Sequence, residues 1–550
     1  MRHRPHRRLT VLCGAVIAAL ALASCTPAGG PAAQDPASSS SGRVDASAES
    51  GQATDPWAPP KSGSGAAPDQ SQDPEQDEAS GEPSQNVDGE HTDQDGLPYA
   101  ENPDGVDPNG KTITALPASQ IKKYLDRGAA KAGGSVRAPG LSWGDGAPVE
   151  VGTLSLLQAR EAPTQPVLAM REYAAPASDG GEEVPLSRVV YLGNQVVLFA
   201  GPTAREDGGS DAPTTLRYST GRAWKNGPRL GNNDPGTSQH VSDPLAVGGR
   251  VYWTLSTQND ANEWSWVLHS WKPGESKLTT EASSDSLTKG LRSYGAPPRN
   301  SSLIHHKGRL YFAVTLDSSD SDTNQPTALI SVPLTSGAPR LEAKEGSRPY
   351  STSAGLVFST TYPDVMDNYT NRALRGLRLL SSPGESQALL NVTRDEAQRG
   401  VAQVNAQMQD SGESSPVALL GPPTLVGAQK NTVTLIVRGQ VVSLDLSRRK
   451  GSRLVPAQRI AAAPADRPVQ CGDKVAFPVQ LLVPQGADLA SSPQLWVSFD
   501  SNNGTLLWQP LEEMRSPSGC AGEAFTAQGI PVYDGNTVKT PLARVTVGGS

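Results

Sequence analysis

From Val149 to the end of the chain, short apolar runs alternate with polar positions and are separated by Gly, Asn, Asp, Ser and Pro. This two-residue period predicts half-buried strands joined by tight turns. One phrase recurs. Val189-Val190-Tyr191-Leu192 leads through Gly193-Asn194 into Gln195-Val196-Val197-Leu198-Phe199. The same strand, turn and strand return as Leu245-Ala246-Val247, Gly248-Gly249, Arg250-Val251-Tyr252-Trp253, and again as Leu303-Ile304-His305-His306, Lys307-Gly308, Arg309-Leu310-Tyr311-Phe312. Weaker copies cover residues 350–358, 425–437 and 469–479. With Gly193, Gly248, Gly308, Gly355, Asn431 and Gly472 as turn markers, the spacings are 55, 60, 47, 76 and 41 residues.

Each copy is followed by a third strand and a turn into a fourth, and repeats of that length and content suit the four-stranded blades of a propeller with loop insertions. The fullest case is Leu495-Trp496-Val497-Ser498-Phe499-Asp500, a turn at 501–504, then Thr505-Leu506-Leu507-Trp508. An apolar strand ending in Asp that turns through Gly into a strand ending in Trp resembles the repeat of quinoprotein-like and WD40-like propellers. The expectation is an all-β chain with a β-propeller of about seven blades over residues 149–550, and tandem β-sandwich domains are the alternative. Residues 149–157 and 166–171 are expected to pair with C-terminal strands and close the ring, which removes unpaired sheet edges. The wide gap before Asn431 holds an insertion whose residues 394–409 read as helix, with Gly400 against it. Residues 111–148 read as a lead-in with one short amphipathic helix, capped by Ser119.

The start of the chain has a different texture. Arg2, Arg4, Arg7 and Arg8 precede an apolar stretch over residues 9–23, which is too short to span a bilayer and is of signal-peptide length. Leu22-Ala23-Ser24-Cys25 closes it and resembles the lipobox of bacterial lipoproteins. That resemblance implies removal of residues 1–24 by cleavage between Ser24 and Cys25, and a diacylglyceryl group on Cys25, whose two chains suffice for stable anchoring. Residues 25–110 form an acidic tether rich in Pro, Ser and Gly. From Thr26 to Gly110 it carries seventeen acidic residues against Arg43 and Lys61, and such a composition favours disorder. The remainder is close to neutral, so the whole-chain charge of −8 belongs to the tether. No dense basic surface suited to nucleic acid is evident beyond Arg448-Arg449-Lys450. A patch of oxygen ligands between Asp93 and Asp107 resembles fragments of calcium-binding repeats but lacks the closing Glu of an EF-hand. Ala, Gly and Pro richness points to a high-GC Gram-positive bacterium, and so to the outer face of its cell membrane.

Of four cysteines, Cys13 leaves with the signal and Cys25 takes the lipid, so Cys471 and Cys520 remain as one expected disulfide. The sequence contains no metalloprotease His-Glu pairing, nucleophile elbow or phosphate loop. No metal or cofactor is expected, and His305-His306 reads as a neighbouring pair that a strand points to opposite faces. Trp253, Trp264, Trp266 and Trp271 are candidates for stacking on a ligand, against the plainer reading that they fill space between blades. The function expected from these features is a membrane-anchored, non-enzymatic interaction or assembly module that meets another envelope protein. The alternatives are a carbohydrate- or small-molecule-binding propeller and an envelope hydrolase or quinone-dependent enzyme.

Overall fold

The computed structural model describes residues 105–106, 112–113 and, apart from intervening loop segments, 133–545. Ser24, Cys25, the helix expected at 119–125 and the acidic residues of the 93–107 patch lie outside the described residues.

Among the described residues six four-stranded antiparallel meanders follow one another along the chain, and a seventh blade is completed by a strand from the N-terminal part. Blade I comprises Leu186–Leu192, Gln195–Ala200, Thr215–Thr220 and Ala223–Arg229. Blade II has a split first strand, Gln239–Val241 and Leu245–Val247, then Arg250–Gln258, Trp264–Trp271 and Thr279–Ser283. Blade III is Ile304–His306, Arg309–Thr315, Thr327–Pro333 and Arg340–Ala343. Blade IV is Ser347–Thr352, Gly355–Met366, Arg372–Ser382 and Glu385–Val392. Blade V is Thr424–Gln429, Thr432–Val437, Gln440–Asp445 and Lys450–Val455. Blade VI runs from Val469–Cys471 through Lys474–Leu481 and Gln494–Asp500 to Thr505–Pro510. Blade VII takes Met514–Ala521, Ala524–Gly529 and Thr537–Val545 from the end of the chain.

Every repeat marker found in the sequence falls at the turn between the first and second strands of a blade. Gly193 and Gly308 sit there with φ of 58° and 75°, a left-handed geometry that glycine adopts without a Cβ clash. The ring closes where Leu542 of blade VII packs against Val196 and Leu198 of blade I. The architecture is therefore a β-propeller, and the sandwich alternative is set aside by this register.

The N-terminal part of the fold forms a belt around the outer rim. Its strands are β1 (Gly133–Trp143), β2 (Pro148–Ser155), β3 (Arg160–Glu161) and β4 (Val167–Pro176). β1 pairs antiparallel with the outermost strand of blade IV and β2 parallel with that of blade V, so the hairpin fuses two blades into one ten-stranded sheet. β3 adds in parallel to blade VI, and β4 supplies the outermost strand of blade VII from Val167 opposite Val545 to Pro176 opposite Thr537. Two expectations change here. Strand runs over Gly133–Trp143, inside the segment read as a lead-in, and only the later of the two early segments pairs with the C terminus; β2 goes to blade V instead. A register shift between Arg137 and Ser142 interrupts β1, which hides its strand periodicity among Gly and Pro.

Apolar faces of successive blades meet face to face. Blades I to III share one cluster with Phe199, Trp253, Trp266, Trp271 and Phe312 at less than 1% exposure. A second joins blades IV and V to the belt through Leu141, Trp143, Val149 and Val151. Blades II and III also repeat a polar clamp. Arg250 Nε donates to Ser270 Oγ, which donates to Glu281, and Arg309 Nε donates to Ser331 Oγ, which donates to the buried Glu342. The Arg in each Gly-Arg-apolar-Tyr phrase thereby ties the second, third and fourth strands of its own blade, satisfying donors that burial would otherwise leave costly.

Candidate functional site

Innermost strands surround the axis of the ring, and their first turns interlock in a row. Ser353 N donates to Lys430 O across blades IV and V, and Gly472 N donates to Gln429 Oε1 across V and VI. Lys430 Nζ lies 2.6 Å from Glu523 Oε1 on blade VII and 3.3 Å from Asp473 Oδ2 on blade VI. Those two carboxylates, Glu523 first, hold the Lys430 ammonium above its ordinary pKa. Beside them Cys471 and Cys520 form a disulfide between the innermost strands of blades VI and VII. On the other side of the row, His306 Nδ1 is 3.0 Å from Ser351 Oγ, joining blades III and IV. Burial lowers the His306 pKa, with Lys307 and His305 adding to it, so His306 favours its neutral form.

One connection carries a large insertion. Helix α1 (Arg394–Ser411) leads from the outermost strand of blade IV toward blade V. The helix expected at 394–409 is thus present, and Gly400 is accommodated because its Cβ would collide with the Pro422 backbone. Thr393 precedes the helix and Glu396 N donates to its Oγ1 at 3.4 Å, a capping arrangement reinforced by Asp395 and Glu396 in the first turn. Glu396 is buried and receives a two-pronged contact from Arg438, Nε to Oε1 at 3.0 Å and Nη2 to Oε2 at 2.9 Å, with Arg399 adding a second cation. Arg438 occupies the turn after the second strand of blade V with φ of 48°, a costly conformation for a residue with a Cβ. Gly140 of β1 sits against the same carboxylate side chain, where a Cβ would overlap Glu396. The insertion is therefore latched at once to the belt and to blade V.

Burial alone would raise the Glu396 pKa, but the hydrogen bonds from Arg438 and Arg399 outweigh it and hold the carboxyl below its ordinary value. A depressed folded-state pKa gives stability that is complete above the unfolded carboxyl pKa of about 4.3 and disappears as pH falls through the folded value. Replacing Glu396 by Gln is expected to remove that acid-dependent contribution. Denaturant titrations between neutral pH and pH 3 check it: the stability difference between wild type and variant should shrink toward acid, and a constant difference would refute the latch.

Sequence-predicted residues fare differently. The disulfide joins Cys471 and Cys520 as expected. Trp253, Trp266 and Trp271 are fully buried and Trp264 nearly so. Trp253 meets Phe199 edge-on at 5.3 Å, Trp266 meets Phe312 at 5.1 Å, Trp271 meets Tyr218 at 5.4 Å, and Trp264 stacks on His240 at 4.9 Å. Their faces are covered by protein, so the inter-blade reading describes where they stand and no open ring surface is left for a ligand. Arg449 of the basic turn clamps Asp145 at 2.6 and 2.8 Å, holding that carboxyl at a pKa of about 2. Glu396, Arg438, Gly140 and Lys430 carry no linear motif, and the acid-rich first turn of α1 was the one visible signal. Among the described residues no group of three His, Cys, Asp or Glu is placed to hold a metal, and no helix is long and apolar enough to cross a membrane.

No protein-family model matches the chain, and no curated protein matches it. Solved structures do. A Mycobacterium tuberculosis puromycin-hydrolysing peptidase is similar at 11% identity and a TM-score of 0.37, over 63% of this chain and 50% of that one, so the chain spans about half the length of that peptidase. The β-propeller domain of the Pyrococcus furiosus Trilobed protease, described as having an open velcro topology, matches at 8% identity and a TM-score of 0.35, over 63% of this chain and 90% of that one. The Fusarium graminearum α-L-arabinofuranosidase Arb93A matches at 13% identity and a TM-score of 0.32, over 58% and 95%.

Proposed function

We propose that this chain is an extracytoplasmic lipoprotein, anchored at Cys25, whose propeller serves as a non-enzymatic interaction module for another protein of the cell envelope. The observation that carries the reading is the latched insertion. An eighteen-residue helix, α1, is fixed to the ring by the Glu396–Arg438 ion pair and by contact with β1. A rigid helix on a closed ring presents a defined surface at little ordering cost, which favours protein recognition. The best-held polar groups elsewhere, Lys430 with Asp473 and Glu523 or Arg250 with Glu275, join elements of the ring to one another. The acidic tether gives the head reach beyond its anchor.

Crosslinking and affinity capture from membranes test the proposal, with wild type beside Cys25→Ser. Wild type is expected in the membrane fraction with an enriched protein partner, and Cys25→Ser in the soluble fraction with an unchanged unfolding midpoint. Wild type without an enriched partner would count against the module. A thermal shift produced by cell-wall sugars would support the carbohydrate-binding alternative, since a ligand at 100 times its Kd stabilises by about 2.7 kcal/mol.

A further inference from the structure

We propose that Arg348 anchors a carboxylate-binding site on the inner wall of the ring, at the junction of blades IV and V. Arg348 lies on the innermost strand of blade IV, Ser347–Thr352, in the wall around the axis. Its φ of 42° is left-handed, and the following residue is Pro349, which drives its predecessor toward extended backbone. The conformation is thus disfavoured twice. It coincides with a register shift between Ser347 and Pro349, the kind of irregularity that re-aims a side chain. Strain of this sort persists only where the surrounding structure imposes it, and it gathers at ligand sites.

The guanidinium tells the same story from its chemistry. It crosses to blade V and donates through NH1 to the Leu425 carbonyl at 3.1 Å. Guanidinium offers five N–H donors in a planar fork, and among the described residues Arg348 has no carboxylate partner within ion-pair distance. Arg250 pairs with Glu275, Arg309 lies near Glu342 and Arg438 pairs with Glu396, while half-buried Arg378 spends two guanidinium nitrogens on Ser386. Arg348 is half-buried, tied by one neutral acceptor and left with donors in a fork geometry that matches a carboxylate. Such a ligand can be a small free acid or an acidic peptide. The inference goes beyond the envelope partner proposed above and does not depend on it.

Calorimetric titration of the full chain with two probes tests it: glutarate, and a synthetic peptide Asp-Pro-Glu-Gln-Asp-Glu with its Asn/Gln counterpart as control. Saturable binding of either acidic probe is expected, and which of the two binds identifies the source of the carboxylate. Arg348→Gly removes the fork while suiting a positive φ, so it should unfold at the same or a higher denaturant concentration and bind at least tenfold more weakly. Arg348→Asn, which also tolerates this backbone, gives the same reading if the glycine variant folds poorly. Lack of saturation by both acidic probes, equal binding of the neutral peptide, or undiminished binding by a folded Arg348 variant would each overturn the site.

Discussion

A chain that starts at Ala177, and so lacks β1 to β4, is expected to lose its cooperative unfolding transition and to associate in solution. The belt contributes Ala138, Leu141, Trp143, Val149 and Val151 to the core shared by blades IV and V, all buried. Full burial of a large apolar side chain is worth roughly 1.5–3 kcal/mol. Losing several at once approaches the 5–15 kcal/mol of net stability typical of a domain. Truncation also strips β4 from blade VII, exposing the outer edge of Thr537–Val545 along the whole pairing from Val545 to Thr537. An open sheet edge is a template for pairing with other chains. Size-exclusion chromatography and denaturant melts provide the check, and a monomer with a single sharp transition would show that the belt is decoration.

Replacing Cys471 and Cys520 together by Ser is expected to lower the unfolding free energy by about 4 kcal/mol, the chain-entropy value for a loop of this size. The residues are 49 apart in sequence, and they link the first strands of blades VI and VII. Blade VII is the one completed by β4, so the crosslink secures the blade that also closes the ring. Chemical denaturation in the presence and absence of reductant checks this. Wild type should fall to the level of the double variant when reduced, while the variant should not respond. A wild type indifferent to reductant would refute the assignment of stability to the crosslink.

The first hairpin of blades I to VI was legible because it needs only local information: alternation on both sides of a turn that favours a left-handed residue. Gly193 and Gly308 announce themselves. β1 was not legible. Gly133-Gly134-Ser135 and Pro139-Gly140 read as loop, and what holds the segment as strand is pairing of Gly133–Arg137 with β2 and of Leu141–Trp143 with Leu390 to Val392, some 250 residues later in the chain. Helix α1 was read from the sequence as residues 394–409 within the wide gap before Asn431, while the reason for Gly400 lies in Pro422, which no periodicity reveals. The tryptophans pose a different problem, because Trp253 and Trp266 look the same in sequence whether they meet a sugar or Phe199 and Phe312. Arg348 and Arg438 are beyond reach of the sequence for a simpler reason. Their distinguishing property is a backbone angle, and neither residue type predicts it.

The pairing of β4 with the last strand also sets a clock. Val167 waits for Val545, so any chain that emerges amino terminus first completes its ring only after nearly all of it has emerged. Contacts so distant in sequence form slowly, because the loop between them must first be closed. During that interval β4 is a finished strand without its partner, open to a chaperone or to a neighbouring chain. The same arrangement leaves blade VII one strand short, and the ring open at that seam, until Thr537–Val545 is present.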